Sequence, residues 1–298
     1  MLGGIAAGSF ALAVAGALAL NAGGASQAGR EPSCKPGGSL QRIEGLSEAS
    51  GLAVSRTTTG RLWAHNDSGQ PVLHAVDLQG KVSGQVKIDG ARLEDWEALS
   101  IGSCGSSGAA SCLYIADIGD NDAERRQITI YRLAEPDSSA TSAKVADVFH
   151  ASYPDGAHDA EALLVGPDGA MFVVTKGSGG PVALYRFPRD LKPGAAVRLE
   201  RVGDPMAAKP ARPDRITDGA MSMDGEWVAL RTLQSITFYR AADFLRGDFT
   251  EAHRVDLSTL REPQGEAVAF GADGTVFVAG EGGGKGLPGT LGVLSCRF

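Results

Sequence analysis

Asp159-Ala160-Glu161-Ala162-Leu163-Leu164-Val165, running into the turn Gly166-Pro167-Asp168-Gly169, is one of five versions of a single phrase in this chain. The others are Glu48-Ala49-Ser50-Gly51-Leu52-Ala53-Val54, Asp95-Trp96-Glu97-Ala98-Leu99-Ser100-Ile101, Thr217-Asp218-Gly219-Ala220-Met221-Ser222-Met223 and Gln264-Gly265-Glu266-Ala267-Val268-Ala269-Phe270. Each sets polar residues, most of them acidic, at the start of an apolar strand. With Ser50, Glu97, Glu161, Gly219 and Glu266 as anchors, the intervals are 47, 64, 58 and 47 residues. Repetition at that period marks a propeller or a solenoid.

The segments after each anchor repeat as well. A tight turn follows, explicit in Met223-Asp224-Gly225 and Gly271-Ala272-Asp273-Gly274, where Asp-Gly accepts the positive φ of a hairpin. Second strands read Arg61 to His65, Cys112 to Asp117, Ala170 to Thr175, Glu226 to Arg231 and Thr275 to Ala279. Third strands read Val72 to Val76, Ile128 to Arg132, Val182 to Arg186, Ser235 to Tyr239 and Gly289 to Leu294, all rich in β-branched and aromatic residues. Outer strands are expected at Lys81 to Ile88, Lys144 to Tyr153, Val197 to Val202 and Glu251 to Leu257. The fifth repeat has none, and Ser39 to Glu44, ahead of the first anchor, supplies the missing strand. The expected fold is therefore all-β: a five-bladed β-propeller closed by an N-terminal strand in the last blade. Six blades are the alternative, should the 64-residue interval hide a degenerate repeat.

Composition bounds the rest. The 298 residues are 43% apolar and carry a net charge of -7, with no basic run, which argues against nucleic-acid and anionic-membrane partners. Residues 2–20 are almost wholly apolar and are followed by small residues up to Ala28, so 1–28 reads as a signal peptide and 29–298 as one propeller domain. The basic stretch that usually opens such a leader is missing. A retained anchor is the alternative, but the Gly and Ala content makes a poor spanning helix. No later stretch is long and apolar enough to span a membrane, so the expectation is a secreted or extracytoplasmic monomer. Four cysteines in an exported chain imply two disulfides. Cys104 and Cys112 bracket a Gly/Ser-rich loop, which leaves Cys34 for Cys296 and requires the termini to meet.

In a propeller, the residues opening the first strand and closing the second lie at the same end of the channel. Ser50, Glu97, Glu161, Asp218 and Glu266 are thus expected at one mouth, joined by His65-Asn66-Asp67, Asp117 to Asn121, Lys176, Arg231 and Glu281. Carboxylates crowded in a channel raise one another's pKa and demand a cation. Lys176 and Arg231 satisfy that demand as structural ion pairs, or a hard divalent ion does. Ca²⁺, with six to eight oxygen ligands and loose geometry, suits Ser50, Glu97, Glu161, Asp218 and Glu266 better than Mg²⁺ or zinc. Beside such an ion, Lys176 and Arg231, with His65 and Asn121, become binders of an anionic substrate, and Asp67, Asp120 or Glu281 the base of a hydrolase. His158 is a further proton-transfer candidate, while Trp63 and Trp96 read as blade packing.

The phrases Leu62-Trp63-Ala64-His65-Asn66-Asp67-Ser68-Gly69, Asp95-Trp96-Glu97-Ala98 and Tyr114 to Asn121 resemble a family of secreted bacterial propellers loosely grouped with phytase-like and esterase-like propellers. The resemblance spans about residues 44–285. The blade layout is also similar to that of the calcium-activated apyrases, and this similarity implies Ca²⁺ more strongly than nucleotide hydrolysis. Three functions are therefore open: a Ca²⁺-dependent hydrolase of a phosphorylated small molecule, a non-catalytic propeller binding a ligand or an extracellular protein, and a glycosidase using two channel carboxylates. The low aromatic content, 6%, counts against the last.

Overall fold

The computed structural model describes residues 1, 3–4, 32–105, 110–284 and 286–298. The chain divides into two compact units, Met1–Arg30 and Glu31–Phe298, and everything below concerns the second. Apart from three residues, the leader expected over 1–28 lies outside the described residues. Among the described residues no helix is long and apolar enough to cross a membrane.

Five antiparallel sheets form five blades, as the repeat predicts. Blade 1 runs Ala49–Val54, Arg61–Asn66, Val72–Asp77 and Val82–Asp89; blade 2 runs Trp96–Ser103, Ser111–Asp117, Ile128–Ala134 and Asp147–Ser152. Blade 3 is Ala160–Val165, Met171–Thr175, Val182–Arg186 and Glu200–Met206; blade 4 is Ile216–Met221, Trp227–Thr232, Ser235–Arg240 and His253–Asp256. Blade 5 comprises Gln264–Phe270, Thr275–Glu281 and Gly289–Arg297. The outer edge of blade 5 is covered by two N-terminal strands, Ser33–Pro36 and Gln41–Ile43, both antiparallel to Gly289–Arg297. The expected closing strand accounts for the second of these; the first pairs Cys34 with Cys296, and a disulfide joins them. Cys104 and Cys112 form the other disulfide.

Blades 1 and 2 each gain a fifth, parallel strand from the following stretch of chain. Ser142–Lys144 lies along Val82–Asp89, and Ala196–Arg198 along Asp147–Ser152. Both extra strands cover edges that would otherwise be open to pairing.

The core is divided among the seams. Each of five apolar clusters draws its residues from two neighbouring blades: Leu52 and Ala64 meet Ala267 and Phe277 between blades 1 and 5, and Tyr114 and Ile130 meet Leu163 and Val173 between blades 2 and 3. Trp63 and Trp96 are buried together in the seam of blades 1 and 2. The inner strands follow one another round the channel, and the last touches the first. At the end where these strands finish, Val54, Ile101, Val165, Met221 and Phe270 line one small pocket together with Arg56 and Ser100. The end where they begin is polar.

Candidate functional site at the channel mouth

The inner strand of every blade carries a β-bulge near its start. The register against the second strand shifts between Ala49 and Gly51, Trp96 and Ala98, Ala160 and Ala162, Ile216 and Asp218, and Gly265 and Ala267. The residues inserted are Ser50, Glu97, Glu161, Thr217 and Glu266, all buried. A bulge adds a residue that the ladder does not pair and so re-aims its side chain. This explains why one polar residue recurs inside an otherwise apolar strand.

The bulge also changes the blade 4 assignment. The ring member is Thr217, one residue before the acid expected there. Asp218 occupies the place held by Gly51, Ala98, Ala162 and Ala267 in the other blades, paired with Arg231 across the strands. Its Oδ2 accepts the Val268 N–H at 2.8 Å, stitching blade 4 to blade 5. Arg231 is fully buried in the same seam. It donates to the carbonyls of Ala267 and Ala279 at 2.5 and 3.0 Å and pairs with Glu262 at 2.5 Å. Gly265 is a glycine here because an added Cβ would lie 2.3 Å from an Arg231 nitrogen.

The ring is knitted blade to blade. Ser50 Oγ donates to Glu97 Oε2 at 2.9 Å, and Thr217 Oγ1 donates to the Glu266 carbonyl at 2.9 Å. Lys176 pairs with Glu161 and lies 3.6 Å from Asp159 Oδ2, while Gln264 Nε2 donates to Glu266 Oε1 at 2.7 Å. Burial, reinforced by Asp95, pushes Glu97 up to about 8; burial with Glu281 nearby pushes Glu266 up to about 7. Glu161 is driven well above the usual carboxylate range by burial and by Glu97 and Glu266. Burial opposes the Lys176 charge, but Glu161 and Asp159 outweigh it and raise the ammonium. The three glutamates, from blades 2, 3 and 5, thus feel one another across the channel with one lysine among them.

The remaining candidates separate. Asp67 and Glu281 lie close enough to affect each other: Asp67 is pushed up to about 6 by burial, Glu48 and Asp95, and Glu281 is raised by burial, Asp67 and Glu48. Asp120 instead braces its own loop. Its carboxylate accepts the N–H groups of Glu124 and Arg125 at 2.9 and 2.8 Å, and its own N–H is held by Asp159 at 3.0 Å. Asn121 is exposed in the adjoining turn. His65 is fully buried, edge-on to Trp96, with Nδ1 donating to the Asn66 carbonyl at 3.1 Å, and burial pulls it down to about 4. His158 is half-buried away from the ring in a knot with Asp155 and Tyr185.

Two sets of residues, nearly all of them within the repeated phrase, escape the choice of site candidates. Thr217 does, because only the bulge distinguishes it from Asp218. So does the position two residues before each bulge, which holds Glu48, Asp95, Asp159, Arg215 and Gln264. The signal for this second set is the same period as the first. Gly119 packs against it: an added Cβ would lie 2.3 Å from Asp95 Oδ2 and 2.7 Å from Glu97 Oε1.

In kind, the ring suits a hard divalent cation: buried hydroxyls and carboxylates, whose ionisation Lys176 alone does not compensate. Among the described residues, however, no three acidic, His or Cys side chains are gathered closely enough to make a ready cage.

No family model matches the sequence, and no curated protein matches it. Solved structures do. The PQQ-bound aldose sugar dehydrogenase of Streptomyces coelicolor is 11% identical, with 89% of this chain and 98% of that chain covered at a TM-score of 0.52. The apo soluble aldose sugar dehydrogenase of Escherichia coli is 12% identical, with 89% and 100% covered at 0.50. At such identity the likeness is one of fold: the chain is a β-propeller, and neither the phytase-like nor the apyrase-like affinity is carried by these structures.

Proposed function

We propose that this is a secreted propeller whose channel mouth holds a divalent cation, Ca²⁺ foremost, and through it binds and hydrolyses a small anionic molecule of the phosphoester or phosphoanhydride class. The observation that carries the reading is the bulge ring itself, where Glu97, Glu161 and Glu266 are all raised by burial and mutual repulsion against a single lysine. A bound dication relieves that repulsion. Glu97, Glu161 and Glu266 would hold it, with the Ser50 and Thr217 hydroxyls beside them, and Lys176 would release Glu161 to do so. When bound, such an ion polarises a substrate oxygen and acidifies water. The chain's own contribution is then positional. Lys176, freed from Glu161, faces the anion, and Asp67 or Glu281, both raised by burial and neighbouring carboxylates, takes up a proton. Two disulfides fit an oxidising, extracytoplasmic compartment.

The second reading is a binding propeller without turnover. It is favoured by Arg231 being consumed in a seam and by Asp120 being consumed in its loop, which leaves fewer groups for chemistry.

One experiment separates these readings. Thermal unfolding is followed after chelation and after Ca²⁺ is restored, with Glu161→Gln alongside. Chelation is expected to lower Tm by several degrees in the wild type and by much less in the variant, since occupancy at a hundred times Kd contributes about 2.7 kcal/mol. An unchanged wild-type Tm rejects the metal. Turnover of p-nitrophenyl phosphate or pyrophosphate by the Ca²⁺-loaded wild type alone supports the hydrolase, and Ca²⁺ binding without turnover supports the binder.

A further inference from the structure

We infer that the face opposite the acidic mouth carries a binding groove for a small organic anion with an apolar or aromatic body. The groove has a volume of 650 Å³, within the usual range for small-molecule sites. It lies where the inner strands end, around the turn Gly166–Gly169 of blade 3, and draws walls from blades 2 and 4.

Its lining is rich in arginine. In a chain of net charge -7, this groove is lined by Arg132, Arg186, Arg189 and Arg246, with Asp168 as the one carboxylate among the described lining residues, although three of the arginines are paired with acids outside the lining. The arginines are held differently. Arg132 is half-buried, 2.7 Å from Asp147, with its guanidinium 5.2 Å from the Phe149 ring and 6.0 Å from that of Tyr114. Arg186 and Arg246 make more exposed pairs with Glu200 and Asp243 at 2.6 and 2.7 Å. Arg189 is exposed and makes no ion pair or side-chain hydrogen bond among the described residues.

A free guanidinium at the rim and partly exposed apolar side chains below it suit two parts of one ligand. The Arg189 fork can take a carboxylate, sulfonate or phosphate through two parallel N–H bonds. Pro188, Leu191, Met221 and Leu245, all partly exposed in the groove, take the apolar body. An inorganic ion would use the rim alone. The acidic mouth at the other end repels the same ligand, so this groove and the cation site are separate claims.

The test is a fluorescence titration of the full chain with 8-anilinonaphthalene-1-sulfonate in chelator and low salt. Its uncharged counterpart, N-phenyl-1-naphthylamine, is titrated alongside. Saturable one-to-one binding of the sulfonate is expected, about tenfold weaker in Arg189→Ala and in Arg186→Ala, the loss from one charge-assisted hydrogen bond. Lys87→Ala, an exposed cation on blade 1, is expected to bind as the wild type does. Equal binding of the neutral probe overturns the proposal, as does wild-type affinity in both arginine variants. Displacement of the sulfonate by an equal concentration of inorganic phosphate overturns the amphipathic ligand. Because chelator is present throughout, failure here leaves the metal reading untouched, and failure of the metal leaves this one untouched.

Discussion

His65 shows how a single residue can look functional in sequence and be structural in the fold. It sits in the polar phrase His65-Asn66-Asp67, yet its ring is fully buried against Trp96, and Gly51 is needed beside it because an added Cβ would fall 2.2 Å from Nε2. Its folded-state pKa is pulled from 6.5 to about 4 by burial. As pH falls, the unfolded chain therefore takes up the proton first. The stability His65 contributes is complete above pH 6.5 and is lost as pH falls from 6.5 toward 4, by roughly 3 kcal/mol in all. Urea unfolding of the wild type and His65→Gln across this window should show a flatter pH slope in the variant; an identical slope would exclude His65 as the titrating group. Asp218 makes the same point. An acid in the repeated phrase was legible, but which way it faced was not, because one inserted residue reverses a strand's alternation.

At the scale of the element, the hairpin of blade 2 is the best case of sequence deciding local structure. Cys104 and Cys112 close a loop with a sequence separation of 8, bridging the ends of strands whose register pairs Gly102 with Cys112. A loop this short restricts the unfolded chain modestly, so Cys104→Ser with Cys112→Ser should cost about 2–3 kcal/mol in chemical unfolding, with a cooperative transition retained. Loss of cooperativity would mean that the bridge supports more than its hairpin. The parallel strands Ser142–Lys144 and Ala196–Arg198 were not legible as members of blades 1 and 2. They are three residues each, and nothing in so short a segment says which edge it will cover.

The whole molecule depends on joining its two ends. Cys34 and Cys296 are separated by 262 residues, and the strands beside them, Ser33–Pro36 and Gln41–Ile43, cover the last edge of the ring. Closing so long a loop removes far more entropy from the unfolded chain than the blade 2 bridge does, so Cys34→Ser with Cys296→Ser should cost up to about 5 kcal/mol. The same substitution should broaden the transition, because blade 5 can then open at its edge; a loss no larger than that of the Cys104/Cys112 pair would refute the closure argument. The sequence by itself determined the propeller class, one of the two closing strands and the disulfide pairing, because strand periodicity, turn residues and cysteine parity are local or countable; five blades rather than six, and the second closing strand, were seen only in the structure. Only the tertiary structure decided that Thr217 stands in the ring, that Arg231 and Asp218 bind a seam, and that Lys176 is the cation beside the three ring glutamates among the described residues. Those outcomes rest on bulges and on contacts between blades, whose geometry is set when the ring closes.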